Sequence, residues 1–273
     1  MMERLQSAID KARRSGGRTL GPPGRRGNVL PSDVVEAWAA LPELEVKPRN
    51  MRRHRITAFE ASPGSVPFDI IRTRILRLVR EKGCRRIGIT SPSPACGKST
   101  VTLNLGLALT RQKETRTILI EGDMRRPSLQ RLLRVKIDTS VARLLQGDIP
   151  FEQSAQRIGQ HFALATNRTP SRNASDVLLS SQVPEVLNEI DRVYRPDLML
   201  FDLPPLLVND DALALLAHLD CALLIAAAGV TTVAEIDRCE RELAESTSVL
   251  GTVLNKCEYM PREFGGSYNY YNS

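Results

Sequence analysis

Four polar residues have the types and the local setting for chemistry on a phosphate-bearing ligand. Lys98 and Ser99 directly follow a glycine, while Asp123 and Asp202 each follow an apolar run. An ammonium group neutralises phosphate oxygens, and a serine hydroxyl next to it is a typical Mg²⁺ ligand. Carboxylates bind Mg²⁺ or accept a proton from an attacking hydroxyl. We therefore expect a site that holds phosphates together with Mg²⁺.

The sequence around Lys98 predicts a strand, a short loop and a helix. Residues 87–90 form a β-branched apolar run, and a helical apolar pattern begins after Gly97. The first N–H groups of a helix have no partner within the helix, and the helix dipole adds positive charge there. The residues predicted to bind nucleotide phosphates are Ala95, Cys96, Gly97, Lys98, Ser99 and Thr100.

This loop departs from the usual phosphate-loop pattern, G-x-x-x-x-G-K-[ST]. Pro92 stands where the first glycine is expected, and Pro94 and Ala95 stand where glycine or another N–H donor is usual. Proline has no N–H, so we expect the donors to come from Ala95 onward. If only the tetrapeptide 97–100 is considered, an alternative stays open: it could be an ordinary helix start that contains Gly-Lys-Ser without binding phosphate.

The composition is that of a soluble globular protein. The chain has 273 residues, of which 42% are hydrophobic and 25% charged. No apolar run reaches about 18 residues, so we expect no membrane span. The five cysteines are scattered without metal-ligand spacing, which favours reduced thiols in the cytosol. Cys96 is the one whose pKa should be lowered, because it lies at a helix N-terminus.

Three segments differ in character along the chain. Residues 1–60 are predicted to be an appendage or linker, partly disordered, with short helices over 2–15 and 34–41. Residues 61–257 are predicted to form the nucleotide-binding domain, and residues 258–273 a flexible tyrosine-rich tail. The stretch 49–67 looks irregular. The net charge is +7, and a basic run over 47–55 fits a solvated linker slightly better than a phosphate-binding or membrane-binding surface.

Apolar runs alternate with helical patterns through the central segment. The runs predicted to be strands cover 87–90, 117–120, 161–166, 198–202, 222–227 and 249–254, and one helix is predicted over 174–190. This alternation favours an α/β fold of the P-loop NTPase type, a mainly parallel sheet with helices on both faces. Ligands bind such sheets beyond the carboxyl ends of the strands, where Asp123 and Asp202 are expected.

We expect the acidic residues at these strand ends to have different roles. Asp202 is placed as the carboxylate that holds Mg²⁺ together with Ser99. Asp123 is placed as a base toward the attacking hydroxyl, or as a metal ligand through water. Glu121 lies two residues before Asp123 and therefore on the same side of the strand.

Three segments resemble the Walker A, Walker A′ and Walker B motifs of bacterial tyrosine kinases, the BY-kinases of capsule and exopolysaccharide loci. They are 87–100, 118–127 with its Asp-Met-Arg-Arg-Pro, and 201–205 with Phe-Asp-Leu-Pro-Pro. The segments 209–212 and 251–256 and the tyrosines of the C-terminus are also similar to that family. The resemblance covers roughly residues 60–273 and is to the standalone cytoplasmic, CpsD/CapB-like type.

The resemblance implies an ATP-dependent, Mg²⁺-requiring autokinase with the MinD/ParA-like fold of that family. Lys98, Asp123 and Asp202 would be catalytic, Ser99, Asp202 and Asp123 would hold the metal, and Asn255 would contact the adenine. Phosphate would be transferred in trans to tail tyrosines. The tyrosines implied as autophosphorylation sites are Tyr259, Tyr268, Tyr270 and Tyr271.

The resemblance also implies the partners of the chain. A homo-oligomer is expected, activated by a transmembrane polysaccharide chain-length regulator and reset by a protein-tyrosine phosphatase. Nucleic acid is not an expected partner. The expected location is cytoplasmic and peripheral, at the inner face of the plasma membrane through that regulator, and the expected role is control of polysaccharide polymerisation and export.

One motif departs from the family, and two other functions stay open. The oligomerisation motif E-x-x-R-x-x-R aligns with Val66, Asp69 and Arg72, so only its last residue is kept. The first alternative is a MinD/ParA-like ATPase, although Ser91–Pro94 lacks the second lysine typical of that class. The other is a regulatory subunit that binds nucleotide but catalyses weakly.

Overall fold

The computed structural model describes residues 31–112 and 115–258. The helix predicted over 2–15 lies outside the described residues, as do all four predicted autophosphorylation sites, Tyr259, Tyr268, Tyr270 and Tyr271. Among the helices of the described ranges, none combines the length and the apolar character that crossing a bilayer requires.

The described residues alternate strands with helices, as predicted. The strands are β1 (Arg86–Thr90), β2 (Thr117–Glu121), β3 (Ala155–Ile158), β4 (Phe162–Ala165), β5 (Leu198–Asp202), β6 (Cys221–Ala227) and β7 (Ser248–Asn255). The helices are α1 (Ser32–Ala40), α2 (Pro48–Arg53), α3 (Val66–Lys82), α4 (Lys98–Thr110), α5 (Leu129–Leu133), α6 (Val141–Leu145), α7 (Phe151–Ser154), α8 (Ala174–Leu178), α9 (Gln182–Tyr194), α10 (Asp211–Leu216) and α11 (Val233–Ser246). A 3₁₀ turn, Pro63–Ser65, precedes α3.

The strands form one sheet in the order β3-β4-β2-β5-β1-β6-β7. Every pairing is parallel except that of β3 with β4. The α/β fold with a mainly parallel sheet is therefore confirmed. In the register, Asp202 at the end of β5 pairs with Glu121 of β2 on one side and with Ile89 of β1 on the other. The carboxyl ends of β1, β2 and β5 thus meet at one edge.

Two apolar layers cover the two faces of the sheet. Alternate residues of one strand enter opposite layers, as Ile118 and Leu119 of β2 do. The layer containing Leu119 also receives Leu103 of α4, and the layer containing Ile118 receives Leu187 of α9. Each such fully buried side chain contributes about 1.5–3 kcal/mol of transfer free energy. The helices that carry the site are therefore fixed to a rigid sheet.

Part of the predicted N-terminal appendage packs against this core. Val34, Trp38 and Leu41 are buried in the same apolar layer as α9. The indole Nε1 of Trp38 donates a hydrogen bond of 2.8 Å to the carbonyl oxygen of Tyr194. The boundary at residue 60 stays a prediction, but several side chains between residues 31 and 60 are buried.

Three local predictions were wrong. The helix predicted over 174–190 is two helices, because it stops at Leu179 and the hydroxyl of Ser180 accepts a hydrogen bond from the backbone N–H of Gln182. The stretch 49–67 is not wholly irregular, since it contains most of α2, the 3₁₀ turn and the start of α3. Strand β3 was not predicted at all.

Candidate functional site

The phosphate loop joins β1 to α4 and is shaped by Gly97. This residue has a φ of 91°, in the left-handed region that favours glycine. A Cβ atom at this position would lie 2.3 Å from Nδ2 of Asn255. That Nδ2 donates a hydrogen bond of 2.8 Å to the carbonyl oxygen of Cys96. The end of β7 therefore holds the loop from behind, and only glycine fits at position 97.

The loop presents a row of backbone donors. Within the described residues, none of the N–H groups of 95–100 donates a hydrogen bond to another residue, whereas Val101 N–H bonds to the carbonyl of Gly97 at 2.9 Å. Unpaired N–H groups at a helix N-terminus are the usual ligands of phosphate. This geometry supports the predicted phosphate-binding residues, although the ligand contacts themselves stay a prediction.

Lys98 lies between the two strand-end aspartates. Its Nζ atom is 2.9 Å from Oδ2 of Asp123 and 3.7 Å from Oδ1 of Asp202, and only 10% of its side chain is exposed. Burial lowers the pKa of the Lys98 ammonium, but the charges of Asp202 and Asp123 outweigh burial and hold the pKa above its ordinary value. Lys98 therefore carries a full positive charge at neutral pH.

Asp202 is a buried carboxylate with a single cation beside it. It is 0% exposed, and neither of its oxygens has a hydrogen bond of normal length and angle from another described residue. Burial raises the pKa of its carboxyl above the ordinary value, although Lys98 and Ser99 oppose the rise. A buried anion is costly unless a cation compensates it, and the Lys98 ammonium, 3.7 Å from Oδ1, does so only in part. The donor set, a hard carboxylate beside a hydroxyl, fits Mg²⁺.

The described ranges contain no group of three or more histidine, cysteine or acidic side chains arranged to hold a metal by themselves. A Mg²⁺ ion that binds together with a nucleotide takes most of its ligands from phosphates and water and only one or two from the protein. Ser99 and Asp202 are then the residues of this chain that fit the ion.

Asp123 is held on two sides. Its Oδ2 accepts a hydrogen bond from Lys98, and its Oδ1 accepts one of 3.1 Å from the backbone N–H of Arg126. Its own N–H donates to the carbonyl of Asp202 at 2.9 Å. The carboxylate is thereby fixed at the mouth of the site, as a positioned base would need to be.

Glu121 has a different role from its neighbour Asp123. Its carboxylate accepts hydrogen bonds from the backbone N–H groups of Ser128, Leu129 and Asn167. Burial raises its pKa to about 7 in spite of these three donors. Glu121 therefore ties the start of α5 and the loop after β4 to the strand that carries Asp123.

An ion pair that the sequence alone did not reveal braces the Walker A′ turn. The guanidinium of Arg125 contacts the carboxylate of Asp211, which is only 3% exposed, and both groups contact the hydroxyl of Ser175. The Arg125 guanidinium and this hydroxyl lower the pKa of Asp211 against the opposing effect of burial. Arg125 and Asp211 both lie in segments that resemble the kinase family, but their spacing gave no sign that they pair.

Cys96 is a buried thiol inside the loop. All five cysteines are free, as predicted. Burial alone would raise the pKa of Cys96, but hydrogen bonds with Ser93 and Thr231 lower it below the ordinary value. The direction agrees with the prediction, but its cause is hydrogen bonding with hydroxyl groups and not the helix N-terminus from which it was predicted.

Ala95 has a backbone conformation that glycine would adopt more easily. Its φ is 64°, and the left-handed region costs an L-residue about 1–2 kcal/mol. We expect Ala95→Gly to raise the free energy of unfolding by about 0.5–1 kcal/mol, net of the extra chain entropy of glycine. Urea denaturation measures this change. The matched control, Ala108→Gly in the right-handed backbone of α4, should lower stability by about 1 kcal/mol, and a loss of similar size in both variants would refute the strain.

Fold and site together define a class of protein. A parallel sheet, a Gly-Lys-Ser loop after its central strand, and aspartates at the ends of two neighbouring strands form the architecture of a P-loop NTPase. In the comparisons with known proteins, the chain is similar to bacterial tyrosine kinases.

The chain is similar in sequence to several proteins named as bacterial tyrosine kinases. It is 27% identical over 208 residues to tyrosine-protein kinase YwqD of Bacillus subtilis, covering 75% of this chain and 86% of YwqD. It is 28% identical over 210 residues to the putative tyrosine-protein kinase CapB of Staphylococcus aureus, covering 76% of this chain and 89% of CapB. The putative kinase AmsA of Erwinia amylovora is 28% identical over 184 residues, which are 67% of this chain but 24% of AmsA. No family model matches the chain.

Solved structures agree. The chimerical protein CapA2B2 superimposes with a TM-score of 0.67 at 23% identity, over 82% of this chain and 98% of that one. The BceF tyrosine kinase domain superimposes with a TM-score of 0.62 at 26% identity, over 70% of this chain and 76% of that one. The septum site-determining protein MinD of Pyrococcus horikoshii, complexed with Mg-ADP, superimposes with a TM-score of 0.54 at 20% identity, over 66% of this chain and 74% of that one. The resemblance to bacterial tyrosine kinases, with a MinD-like fold, is thereby confirmed.

Proposed function

We propose that this protein is an ATP-dependent tyrosine autokinase that transfers phosphate in trans to the tyrosines of its own C-terminal tail. The observation that carries the proposal is the meeting of Lys98, Asp123 and Asp202 at one edge of the sheet. The relatives named as tyrosine kinases support it. So does the position of β7, which contacts the phosphate loop through Asn255 and leads directly into the tail.

The loop and Lys98 would provide most of the electrostatic catalysis. Phosphoryl transfer leaves little covalent chemistry to the protein, so positioning and charge neutralisation dominate the rate. The N–H groups of residues 95–100 would hold the phosphates, and the Lys98 ammonium would balance the charge on the transferred group. Because Lys98 is buried, its charge acts through a low effective dielectric.

Ser99 and Asp202 would hold the Mg²⁺ that accompanies the nucleotide. When bound, this ion neutralises phosphate charge. The buried carboxylate of Asp202 contributes a fixed negative charge without any need for reorganisation, because β5 and its neighbours enclose it. The Ser99 hydroxyl is positioned by the first turn of α4.

Asp123 would orient the incoming tyrosine and accept the proton of its hydroxyl. Its carboxylate is fixed by the N–H of Arg126, while Arg125 of the same turn is anchored to the buried Asp211. These two contacts brace the turn that follows Asp123. Asn255 is proposed to contact the adenine as well as the loop.

The proposed cellular role follows the family. We infer that the chain acts at the inner face of the plasma membrane, activated by a transmembrane chain-length regulator, reset by a tyrosine phosphatase, and regulating capsule or exopolysaccharide polymerisation and export. Homo-oligomerisation is proposed to rely on contacts other than the family motif. Arg72, its one retained residue, donates a 3.0 Å hydrogen bond to the carbonyl of Ala108 and pairs with Asp69 in the same chain.

A MinD-like ATPase is the second candidate. MinD shares the fold of this chain, although the early loop, Ser91–Pro94, lacks the second lysine typical of that class. The two candidates differ in the fate of the phosphate, since an ATPase releases it to water and a kinase leaves it on tyrosine.

Deleting the residues after Phe264 separates the candidates. We expect this truncation to remove at least 80–90% of phosphotyrosine labelling while nucleotide affinity changes less than twofold, because it removes three of the four proposed acceptor tyrosines and none of the residues proposed to bind nucleotide. Labelling is followed with Mg·ATP and nucleotide affinity by titration with a fluorescent ATP analogue. The control replaces Tyr268, Tyr270 and Tyr271 with phenylalanine at full length and should lose labelling to the same extent. Full labelling of the truncated chain would contradict the tail assignment.

A further inference from the structure

A basic pocket lies beside the turn that follows Asp123. It has a volume of about 550 Å³, and Pro127 forms part of its wall. The charged and titratable side chains that line it are Arg131, Arg134, Lys136, Arg168 and His54. No carboxylate is among the lining residues. We refer to this site as the basic pocket.

The positive charge of the basic pocket is not balanced by the chain as far as the structure describes it. Within residues 31–112 and 115–258, neither Arg131, Arg134, Lys136 nor Arg168 forms an ion pair. Exposed arginines elsewhere on the protein do form ion pairs, as Arg192 does with Glu189. Like charges gathered in a concavity repel one another and attract anions. The pocket therefore favours a ligand with several negative charges.

The walls of the basic pocket are tied to the proposed catalytic strand. Glu121 of β2 accepts hydrogen bonds from the N–H groups of Leu129 and Asn167. Leu129 begins the helix that carries Arg131, and Asn167 precedes Arg168. Asp123 lies two residues beyond the end of this strand, where its N–H donates to the carbonyl of Asp202. The pocket and the proposed base are therefore both tied to the same edge of the sheet.

The tail of this chain becomes a matching ligand only when it is phosphorylated. Residues 259–273 contain one arginine, one glutamate and four tyrosines, so their side chains are neutral overall before phosphorylation. Each phosphotyrosine adds about −1.5 to −2 charges at pH 7 and three acceptor oxygens. Guanidinium groups bind such oxygens in a bidentate manner, and Pro127 offers an apolar wall to the ring.

We propose that the basic pocket binds a phosphotyrosine of the tail of a second copy of this chain. This inference rests on the proposed function, which brings that tail to Asp123 in trans. A tail with one phosphorylated tyrosine is then retained beside the site while another tyrosine of the same tail is presented. The expected consequence is that doubly and triply phosphorylated tails accumulate before all tails carry one phosphate.

The test measures binding of synthetic peptides of residues 259–273 to the full chain by fluorescence anisotropy. One peptide carries phosphotyrosine at 268, 270 and 271, and the other is unphosphorylated. We expect the phosphopeptide to bind at least tenfold more tightly. The pocket variant Arg131→Gln/Arg134→Gln should lose at least tenfold of that affinity. The matched control, Arg192→Gln/Arg238→Gln, removes two exposed arginines elsewhere and should change the affinity less than twofold.

Three further results decide the interpretation. Tight binding that persists in Lys98→Met supports the basic pocket over the phosphate loop as the binding site. Equal affinity for the two peptides, or an equal loss in the pocket and control variants, overturns the proposal. Displacement by inorganic phosphate as effective as by free phosphotyrosine also overturns it, because the site would then hold only small anions.

The synthetic peptides make this inference separable from the proposed function. A chain that binds the phosphopeptide through the basic pocket but never labels its tail would contradict the kinase and leave the binding site standing. A chain that labels its tail but shows no preference for the phosphopeptide would contradict only the binding site. A labelling time course resolved by mass spectrometry then checks whether multiply phosphorylated tails accumulate early.

Discussion

Asp202→Asn is expected to lower tail labelling at least 10²–10³-fold while leaving the protein as stable as the wild type or slightly more so. The two effects separate because Asp202 is buried, lacks a hydrogen bond of normal length and angle from another described residue and has a raised pKa. Removing its charge relieves a desolvation cost. The Lys98 ammonium keeps Asp123 as its counterion at 2.9 Å.

Urea denaturation at pH 7 and labelling with Mg·ATP measure the two effects of Asp202→Asn. The expected change in the free energy of unfolding lies between zero and a gain of about 1–2 kcal/mol. Asp191→Asn is the matched control, because Asp191 forms an ion pair with Arg86 away from the site. That variant should lose about 1 kcal/mol and keep its labelling. Wild-type labelling by Asp202→Asn would overturn the assignment of Asp202.

Lys98→Met should remove labelling by about 10³-fold or more, and it should also destabilise the fold. The substitution leaves Asp123 and Asp202 buried without their cation, at a cost of about 3 kcal/mol at pH 7. The pKa of Asp202 is already raised by burial and is held down by Lys98, so it rises further in the variant. A carboxyl with a raised folded-state pKa binds its proton more tightly in the folded than in the unfolded state.

The stability of Lys98→Met should therefore approach that of the wild type as the pH falls, and the deficit should grow as the pH rises. Unfolding curves between pH 5 and 8 measure this trend. Lys82→Met is the control, since Lys82 is exposed at the end of α3 and bonds only to Ser248 and Val249. Its stability difference from the wild type should not vary with pH in this way. A deficit in Lys98→Met that is constant across the range would argue against the buried carboxylates as its cause.

The sheet and the phosphate loop were predictable from the sequence because their signals are local. The strand β5 was predicted with its observed bounds, since four apolar residues end abruptly at Asp202. Lys98 and Ser99 were found because a glycine and a helix start surround them. A parallel sheet then places strand ends together by topology alone, which brought Asp123 and Asp202 to one edge.

What the sequence did not reveal depends on contacts between distant segments. The strand β3 has the residues Ala-Gln-Arg-Ile, which lack any apolar alternation, and it forms only because it pairs with β4 at the edge of the sheet. The packing of Trp38 depends on a carbonyl 156 residues away. The role of Glu121 as a ligand of backbone N–H groups depends on where the chain returns after Pro127.

The break between α8 and α9 shows a further limit of periodicity. Leu179 and Val183 keep the i, i+4 apolar spacing of one helix, but the Ser180 hydroxyl accepts a backbone hydrogen bond that competes with the helix. Asn255 was predicted only as an adenine contact, and its bond to Cys96 required the position of β7 beside the loop.

Mapping phosphate by mass spectrometry after incubation with Mg·ATP tests the central claim most directly. The experiment uses the purified chain of residues 1–273, with and without the proposed transmembrane regulator. Mixing Lys98→Met with a tail-truncated chain asks whether transfer occurs in trans. The account predicts phosphate on Tyr268, Tyr270 or Tyr271 of the Lys98→Met chain only when the truncated chain, with its intact site, is present. ATP hydrolysis with every tyrosine unmodified would contradict it and identify an ATPase.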